Sequence, residues 1–323
     1  MRLPTLAVAA MAAFALGAAQ AAAQDWPGKP IRFVVPFIAG GSTDVLTRLL
    51  CDQLAVELKT PCIVENKSGA GGNVGGQAVA ASAPDGYTFL VSAPGVLAYN
   101  KILYREMAFD PDKDLDAICL YAFQANVLVV HPALPVRSVG ELIAYAKANP
   151  RKLNYASGGV GSTSHVAGEL FRTMASLEWQ HVPYRGTGAS LVDLLAGQVQ
   201  LTIDNLPAIL PHIKTGGLRA LAVSTDKRVP QLPDLPTIAE LGVPGYEGVL
   251  WMGLMVPAGT PQPVIATLAA AAQQAVRAPD LRDRFSAEGI DPVGGTPEEF
   301  AAVIKRELPQ WRDLVRDAKI TVD

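Results

Sequence analysis

Along the chain, short runs of β-branched and aromatic residues alternate with stretches in which apolar residues return every three or four positions. The runs IRFVVPF, CIVEN, YTFLVSA, NVLVVHP, KLNYAS, WQHVPY, VQLTID and RALAVS predict strands, and most are closed by Gly, Pro or Ser. Between them, spacings such as Val45, Leu46, Leu49, Leu50 and Leu54 place apolar side chains on one face of a helix. Two helix starts carry capping boxes, in which a hydroxyl accepts from a first-turn N–H while a carboxylate reaches back. These are Ser138 with Glu141, and Thr296 with Glu299, where Pro297 takes the first helical position. Such alternation predicts α/β layers with largely parallel sheets. Residues 226–263, rich in Pro and Gly, predict a long connection, and residues 264–317 a mainly helical end.

The segment 1–23 breaks this rhythm. It holds one cation, Arg2, then an alanine-rich apolar run ending in small residues, the composition of a secretory signal peptide cleaved near Ala23. A membrane-anchor helix is the alternative, but the run is only just long enough to span and is barely flanked by charge. Cleavage removes one of 27 basic residues and none of the 30 acidic ones, moving the formal charge from −3 to about −4. An acidic balance argues against a nucleic-acid partner. No later apolar run of about 18 residues follows, and no cysteine lies near the cleavage point, so the exported product is expected to be soluble and without a lipid anchor. At 323 residues, 50% of them hydrophobic, the chain can build one large or two ordinary domains. Cys51, Cys62 and Cys119 fit no zinc spacing. They read either as buried free thiols or as a Cys51–Cys62 bridge with one left over.

Candidate chemistry sits where strands hand over to helices. In PFIAGGSTDVLTRLL (36–50) and KLNYASGGVGSTSHVAGELF (152–171), strand, glycines, Ser-Thr and helix follow in the same order. Gly41-Ser42-Thr43 is echoed by Gly161-Ser162-Thr163, 120 positions later, about the length of one α/β lobe. The first turn of a helix has unpaired N–H groups and a partial positive charge, so each start suits an anion. Ser and Thr are also good caps, which explains one instance without any ligand. Two instances, one per half, predict two helix starts facing each other across a cleft beyond the carboxyl ends of the strands. Phosphate is not the expected anion. Neither loop has the Lys of a Walker motif, and GAGGNVGG (69–76) has Val74 where a dinucleotide fingerprint needs its third glycine.

Taken in order, PGKPIRFVVPFIAGGSTDVLTRLL, VENKSGAGGNVGG, APDGYTFLVSAPG, LNYASGGVGSTSHVAGELF, HVPYRGTGASLVDLLAGQVQLTIDNLPAILPHIKTGGLRALAVST and GLMVPAGTP resemble the Bug family, the TctC-type extracytoplasmic solute receptors of tripartite tricarboxylate transporters. The resemblance covers essentially the whole chain after the leader. It implies a periplasmic α/β protein of the type II binding-protein fold, with two lobes joined by a hinge. Residues 24–124 and 248–323 would form lobe 1 and residues 125–247 lobe 2. It further implies a monomer that closes on a small carboxylate and delivers it to the membrane subunits of the transporter, with no cofactor and no metal.

The resemblance places lobe-1 contacts at Phe37, Gly40, Gly41, Ser42, Thr43 and Ser92, and lobe-2 contacts at Ser157, Gly158, Ser162, Thr163 and His165. Tyr184, Gly186 and Asp204 would complete the pocket. Ile38 departs from the usual loop, and Arg185 stands where a Lys is usual, either as a solvated rim charge or as a partner for a distal carboxylate. Asp204 beside an anion needs an intervening water or a ligand amine, unless it merely caps its loop. His165 reads as a ligand donor or as a structural histidine. Two other readings share these residues. A ligand-loaded sensor for a membrane signalling protein would use the same pocket. A secreted serine hydrolase would take Ser42 or Ser162 as nucleophile, His165 or His181 as base and Asp204 as orienting acid, but no G-x-S-x-G elbow is present. The expectation is therefore a receptor, not an enzyme.

Overall fold

The computed structural model describes residues 26–317, so the expected signal peptide and its cleavage point lie outside the described residues. The chain runs β1 (Ile31–Val35), α1 (Ser42–Glu57), β2 (Cys62–Asn66), α2 (Asn73–Ala80), β3 (Thr88–Ser92), β4 (Leu115–Gln124) and β5 (Asn126–Val130). It continues with α3 (Val139–Ala148), β6 (Asn154–Ser157), α4 (Thr163–Met174), β7 (Gln180–Pro183), α5 (Thr187–Leu195), β8 (Leu201–Asn205), α6 (Leu206–Lys214) and β9 (Arg219–Val223). The last elements are β10 (Leu250–Pro257), α7 (Gln262–Arg277), α8 (Pro279–Ala287), β11 (Ile290–Pro292) and α9 (Pro297–Asp317).

Two sheets form, ordered β11-β4-β10-β3-β1-β2 and β7-β6-β8-β5-β9, giving the two-lobed α/β architecture of type II binding proteins. They are mixed, which corrects the expectation of largely parallel sheets. β1 is parallel to β2 and β3, and β6 to β7 and β8, but β10 opposes β3 and β4, β11 opposes β4, and β5 opposes β8 and β9. The cause is the traffic between lobes. A chain crossing to the other sheet enters at the end where the parallel strands finish, so Asn126 at the start of β5 lies opposite Asn205 at the end of β8. The crossings are stapled together: Asn126 Nδ2 and Ser224 Oγ both donate to the Gly248 carbonyl, each at 2.8 Å.

Periodicity located the buried stripe of α1 with one correction. Leu46, Leu50 and Leu54 are buried at helical spacing, whereas Val45 is 46% exposed. They pack with Ile265, Leu268 and Ala272 of α7 under the first sheet. Truncating a core leucine such as Leu50 to Ala costs about 2–5 kcal/mol. The region read as a single connection, residues 226–263, contains β10, and the mainly helical end contains β11. Every residue of β10 is buried, so the strand shows no polar alternation to read. Its Gly253 is required by packing, because a Cβ there would overlap the Phe300 ring of α9.

One capping box forms in full and the other in part. Thr296 and Glu299 exchange backbone bonds at 2.8 and 3.2 Å, while Glu141 reaches the N–H of Arg137 and not that of Ser138. The three cysteines are free thiols, Cys51 and Cys119 buried and Cys62 partly so. α9 carries its Phe300 and Val303 in the first-sheet core and its Trp311, Leu314 and Val315 in the core around α4. Its Glu307 Oε2 accepts from both Trp251 and Trp311 indole N–H groups, at 2.6 and 3.1 Å.

Candidate functional site

Three helix starts define the cleft-facing ends of the sheets. α1 has Gly41 as its N-cap and no side-chain cap, so the N–H groups of Ser42, Thr43 and Asp44 are left without helical acceptors. α4 is capped by Ser162, whose Oγ accepts from the His165 N–H at 3.2 Å, leaving those of Thr163 and Ser164. α5 again starts on a glycine, Gly186, in a positive-φ conformation (102°) that favours glycine.

The loop before α1 is held by a residue that sequence reasoning missed. Asp44, 2% exposed, accepts from the Gly40 N–H at 2.8 Å, from Asn66 Nδ2 at 2.9 Å and from Arg48 at 3.0 and 3.1 Å. Burial works to raise its pKa, but Arg48, the Gly40 N–H and Asn66 outweigh it and hold the carboxyl below the ordinary carboxylate range. Phe37 packs partly buried on the first-sheet core, and its carbonyl accepts from Asn66. Ser42 does not cap: its Oγ donates to Gln124 Oε1 at 2.9 Å. Thr43 is 9% exposed and its carbonyl accepts from Thr47. Ser92 is fully buried and donates to the Gly253 carbonyl at 3.0 Å, a tie between β3 and β10.

The loop before α4 is held by an aromatic column. His165 stacks on His181 (ring centroids 4.0 Å apart), and His181 on Tyr155 (4.8 Å). The Gly161 N–H donates to His165 Nδ1 at 3.1 Å, and Ser157 Oγ meets His181 Nε2 at 2.6 Å. The Gly158 N–H donates to Ser164 Oγ at 2.9 Å. Two charged imidazoles cannot share this stack. Burial, then His181 and Arg172, push His165 down to about 3, and burial pushes His181 down to about 4. Both rings are therefore neutral at ordinary pH and serve the loop's shape.

Asp204, the next-to-last residue of β8, is 1% exposed. Its Oδ1 accepts from the Asn205 N–H at 2.8 Å and Thr187 Oγ1 at 3.2 Å, and burial pushes its carboxyl up to about 6 against these bonds and the Ser164 hydroxyl. Tyr184, by contrast, turns its hydroxyl to Asp193 at 2.8 Å, and Arg185 is exposed. The hydrolase constellation is not assembled: Ser162 Oγ binds a backbone N–H, His165 Nδ1 faces Gly161, and Asp204 faces Thr187. Gln124, Asn126 and Asn205 join the site without having been singled out in the sequence. Their signal was a cluster of amides at strand ends, AFQAN and IDN, inside apolar runs. A cavity of about 470 Å³, lined by residues including Phe123, Asp226, Glu247, Ser286 and Asp291, lies beside β11 and the segment that follows β9 and shares no lining residue with the helix starts.

Residues 46–320 match the model of the tripartite tricarboxylate transporter family receptor, TctC. The chain belongs to that family. It is the periplasmic solute-binding receptor of such a transporter. It is similar to BugT of Bordetella pertussis, 38% identical over 93% of this chain and 92% of the relative. Among solved structures it is similar to an R. palustris protein with adipate (40% identity, TM-score 0.85, covering 92% of this chain and 99% of that one). It is also similar to MatC from Rhodopseudomonas palustris with bound malate (33% identity, TM-score 0.81, 90% and 100% covered).

Proposed function

We propose that the chain is exported by its N-terminal signal peptide, closes as a monomer on a small organic carboxylate, and hands it to the membrane subunits of its transporter. Lobe 1 comprises residues 24–124 and 248–323 and lobe 2 residues 125–247, with α9 packing against both. The carboxylate lies between the starts of α1, α4 and α5, gripped by backbone N–H groups and hydroxyls. Phe37, Gly40, Gly41, Ser42 and Thr43 form one wall, Ser157, Gly158, Ser162 and Thr163 the other, and Gly186 and Asp204 the floor. Ser92, His165 and Tyr184 act from behind, through the bonds made by Ser92 Oγ, His165 Nδ1 and the Tyr184 hydroxyl.

What supports this reading is the uncapped start of α1 together with the partly free starts of α4 and α5, with no Lys or Arg among the buried residues described. Neutral donors avoid the desolvation cost of burying a second charge. Hydrogen bonds to a charged acceptor contribute about 1.5–3 kcal/mol each, so a few support micromolar binding. The relatives solved with adipate and malate each hold a carboxylate, one without a hydroxyl and one with it. The test is a thermal-shift screen of the chain from residue 24 onward against mono-, di- and tricarboxylates. A ligand at 100 times its Kd adds about 2.7 kcal/mol of stability. A panel in which no acid raises the melting temperature would overturn the proposal.

A further inference from the structure

α1 and β2 are joined by the short turn 58–61, which reverses the chain and lays the helix along the edge strand of the first sheet. Near the start of α1, Asn66 Nδ2 at the end of β2 donates to Asp44 Oδ1 at 2.9 Å, and Arg48 donates to Asn66 Oδ1 at 3.2 Å. Seven residues further along α1 stands Cys51, and four residues back along β2 stands Cys62. Seven residues are about two helical turns, so Cys51 returns to the face that carries Asp44, about 10 Å further on. Four residues of strand cover about 13 Å and, being an even step, place Cys62 on the face that carries Asn66. Because the two elements run in opposite directions, both steps lead to one place.

The thiols meet there. Cys51 is buried in the first-sheet core, and Cys62 packs against the same cluster. A hydrogen bond between the two thiols is the leading reason that the Cys51 pKa is raised, and burial adds to it. Cys51 is 4% exposed whereas Cys62 is only partly buried, so Cys62 is the sulfur that a reagent reaches first. Burial raises the pKa of Cys119 too, but the charged groups that act on it are Arg277 and Glu299, and no thiol bonds to it. Of the three possible pairings, the fold brings one together.

We propose that Cys51 and Cys62 are a disulfide-forming pair, a covalent modification site that staples α1 to β2. The oxidant is another disulfide, of a small thiol or of a protein, which an oxidising compartment such as the periplasm supplies. The Cys62 thiolate attacks one sulfur of that disulfide and expels the other as a thiolate. The Cys51 thiolate then attacks the Cys62 sulfur and displaces the bound thiol. Two protons and two electrons leave the cysteines, and the oxidant's disulfide becomes two thiols. The new bond closes a loop over residues 51–62 in the unfolded chain and so restricts it. In the folded chain it ties α1 to β2 a second time, beyond the tie that Asn66 makes near the uncapped start of the helix.

The test is oxidation of the purified, folded chain with glutathione disulfide, followed by unfolding, alkylation and mass spectrometry. The expected product is lighter by two hydrogen atoms before alkylation, keeps Cys119 as its alkylatable thiol, and yields a linked pair of peptides containing Cys51 and Cys62. Its melting temperature is expected about 5 °C above that of the reduced chain. Cys62→Ser abolishes this redox shift. Three alkylatable thiols after oxidation, a glutathione adduct that stays on Cys62, or a link to Cys119 would each overturn the proposal. The wild-type mass decides the matter even if the variant fails to fold.

Discussion

The two Gly-Ser-Thr helix starts look interchangeable in sequence and are built differently. At α4 the serine is the cap, and its hydroxyl is committed to the His165 N–H. At α1 the cap is Gly41, and Ser42 lies inside the first turn, reaching sideways to Gln124. The loop before α1 is fixed by a buried carboxylate, Asp44, and its cation; the loop before α4 is fixed by neutral stacked rings. The same tripeptide therefore leaves more free donors on lobe 1 than on lobe 2. What decides its role is the residue two or three positions further on, Asp44 in one case and His165 in the other.

The largest effect that separates the two starts is expected from Asp44→Ala. It removes the acceptor shared by Gly40, Asn66 and Arg48 and should cost about 3 kcal/mol in urea unfolding, with weakened ligand binding because the Gly40 loop is released. A loss under 1 kcal/mol (about a single hydrogen bond) would show that the loop holds its shape without Asp44.

Acid should sort the two lobes next. Below about pH 6.5 the unfolded chain protonates its histidines, whereas the folded His165 and His181 resist down to about 3 and about 4. Their contribution to stability is full above that point and is lost as the pH falls. Asp204, raised to about 6, opposes them over the same window, leaving a net difference of about one proton. Stability should therefore rise with pH between about 4.5 and 6.5 by at most about 1.4 kcal/mol per unit, less the screening due to the partial exposure of His181. Asp44, whose carboxyl is held low, keeps its contribution down to about pH 4. His165→Asn supplies an oxygen for the Gly161 N–H and should flatten the slope; an unchanged slope would mean the imidazoles are not its source.

The smallest effect belongs to the caps. Ser162→Ala should cost about 1 kcal/mol of stability and Ser162→Gly only a few tenths. Ser42→Ala should instead act on ligand affinity through Gln124, a difference that paired calorimetry and unfolding curves would expose. Equal stability losses at both serines would erase the distinction between the two starts.

Much of this was legible in the residues. Strand runs such as IRFVV and NVLVV, closed by Gly or Pro, sit in the sheets where alternation placed them, and both Gly-Ser-Thr segments open helices. β10 and β4 were not legible, because strands covered on both faces show no period and their partners come from distant sequence. The mixed pairing was hidden for the same reason: direction is set by where the chain crosses between lobes. Within the site, glycines announced the loops, but the inward amides of Gln124, Asn126 and Asn205 look like ordinary turn residues until Gly248 and the β5–β8 register fix their orientation.

The shared carboxylate of Glu307 has an optical consequence. Trp251 opens β10 just past a crossing strand, and Trp311 belongs to the part of α9 that packs around α4, yet both indoles donate to one oxygen. Both chromophores thus sit on one buried carboxylate at the place where α9 passes from the first-sheet core to the core around α4. A change in how α9 packs there is therefore expected to alter the fluorescence of both tryptophans together, readable without any attached dye.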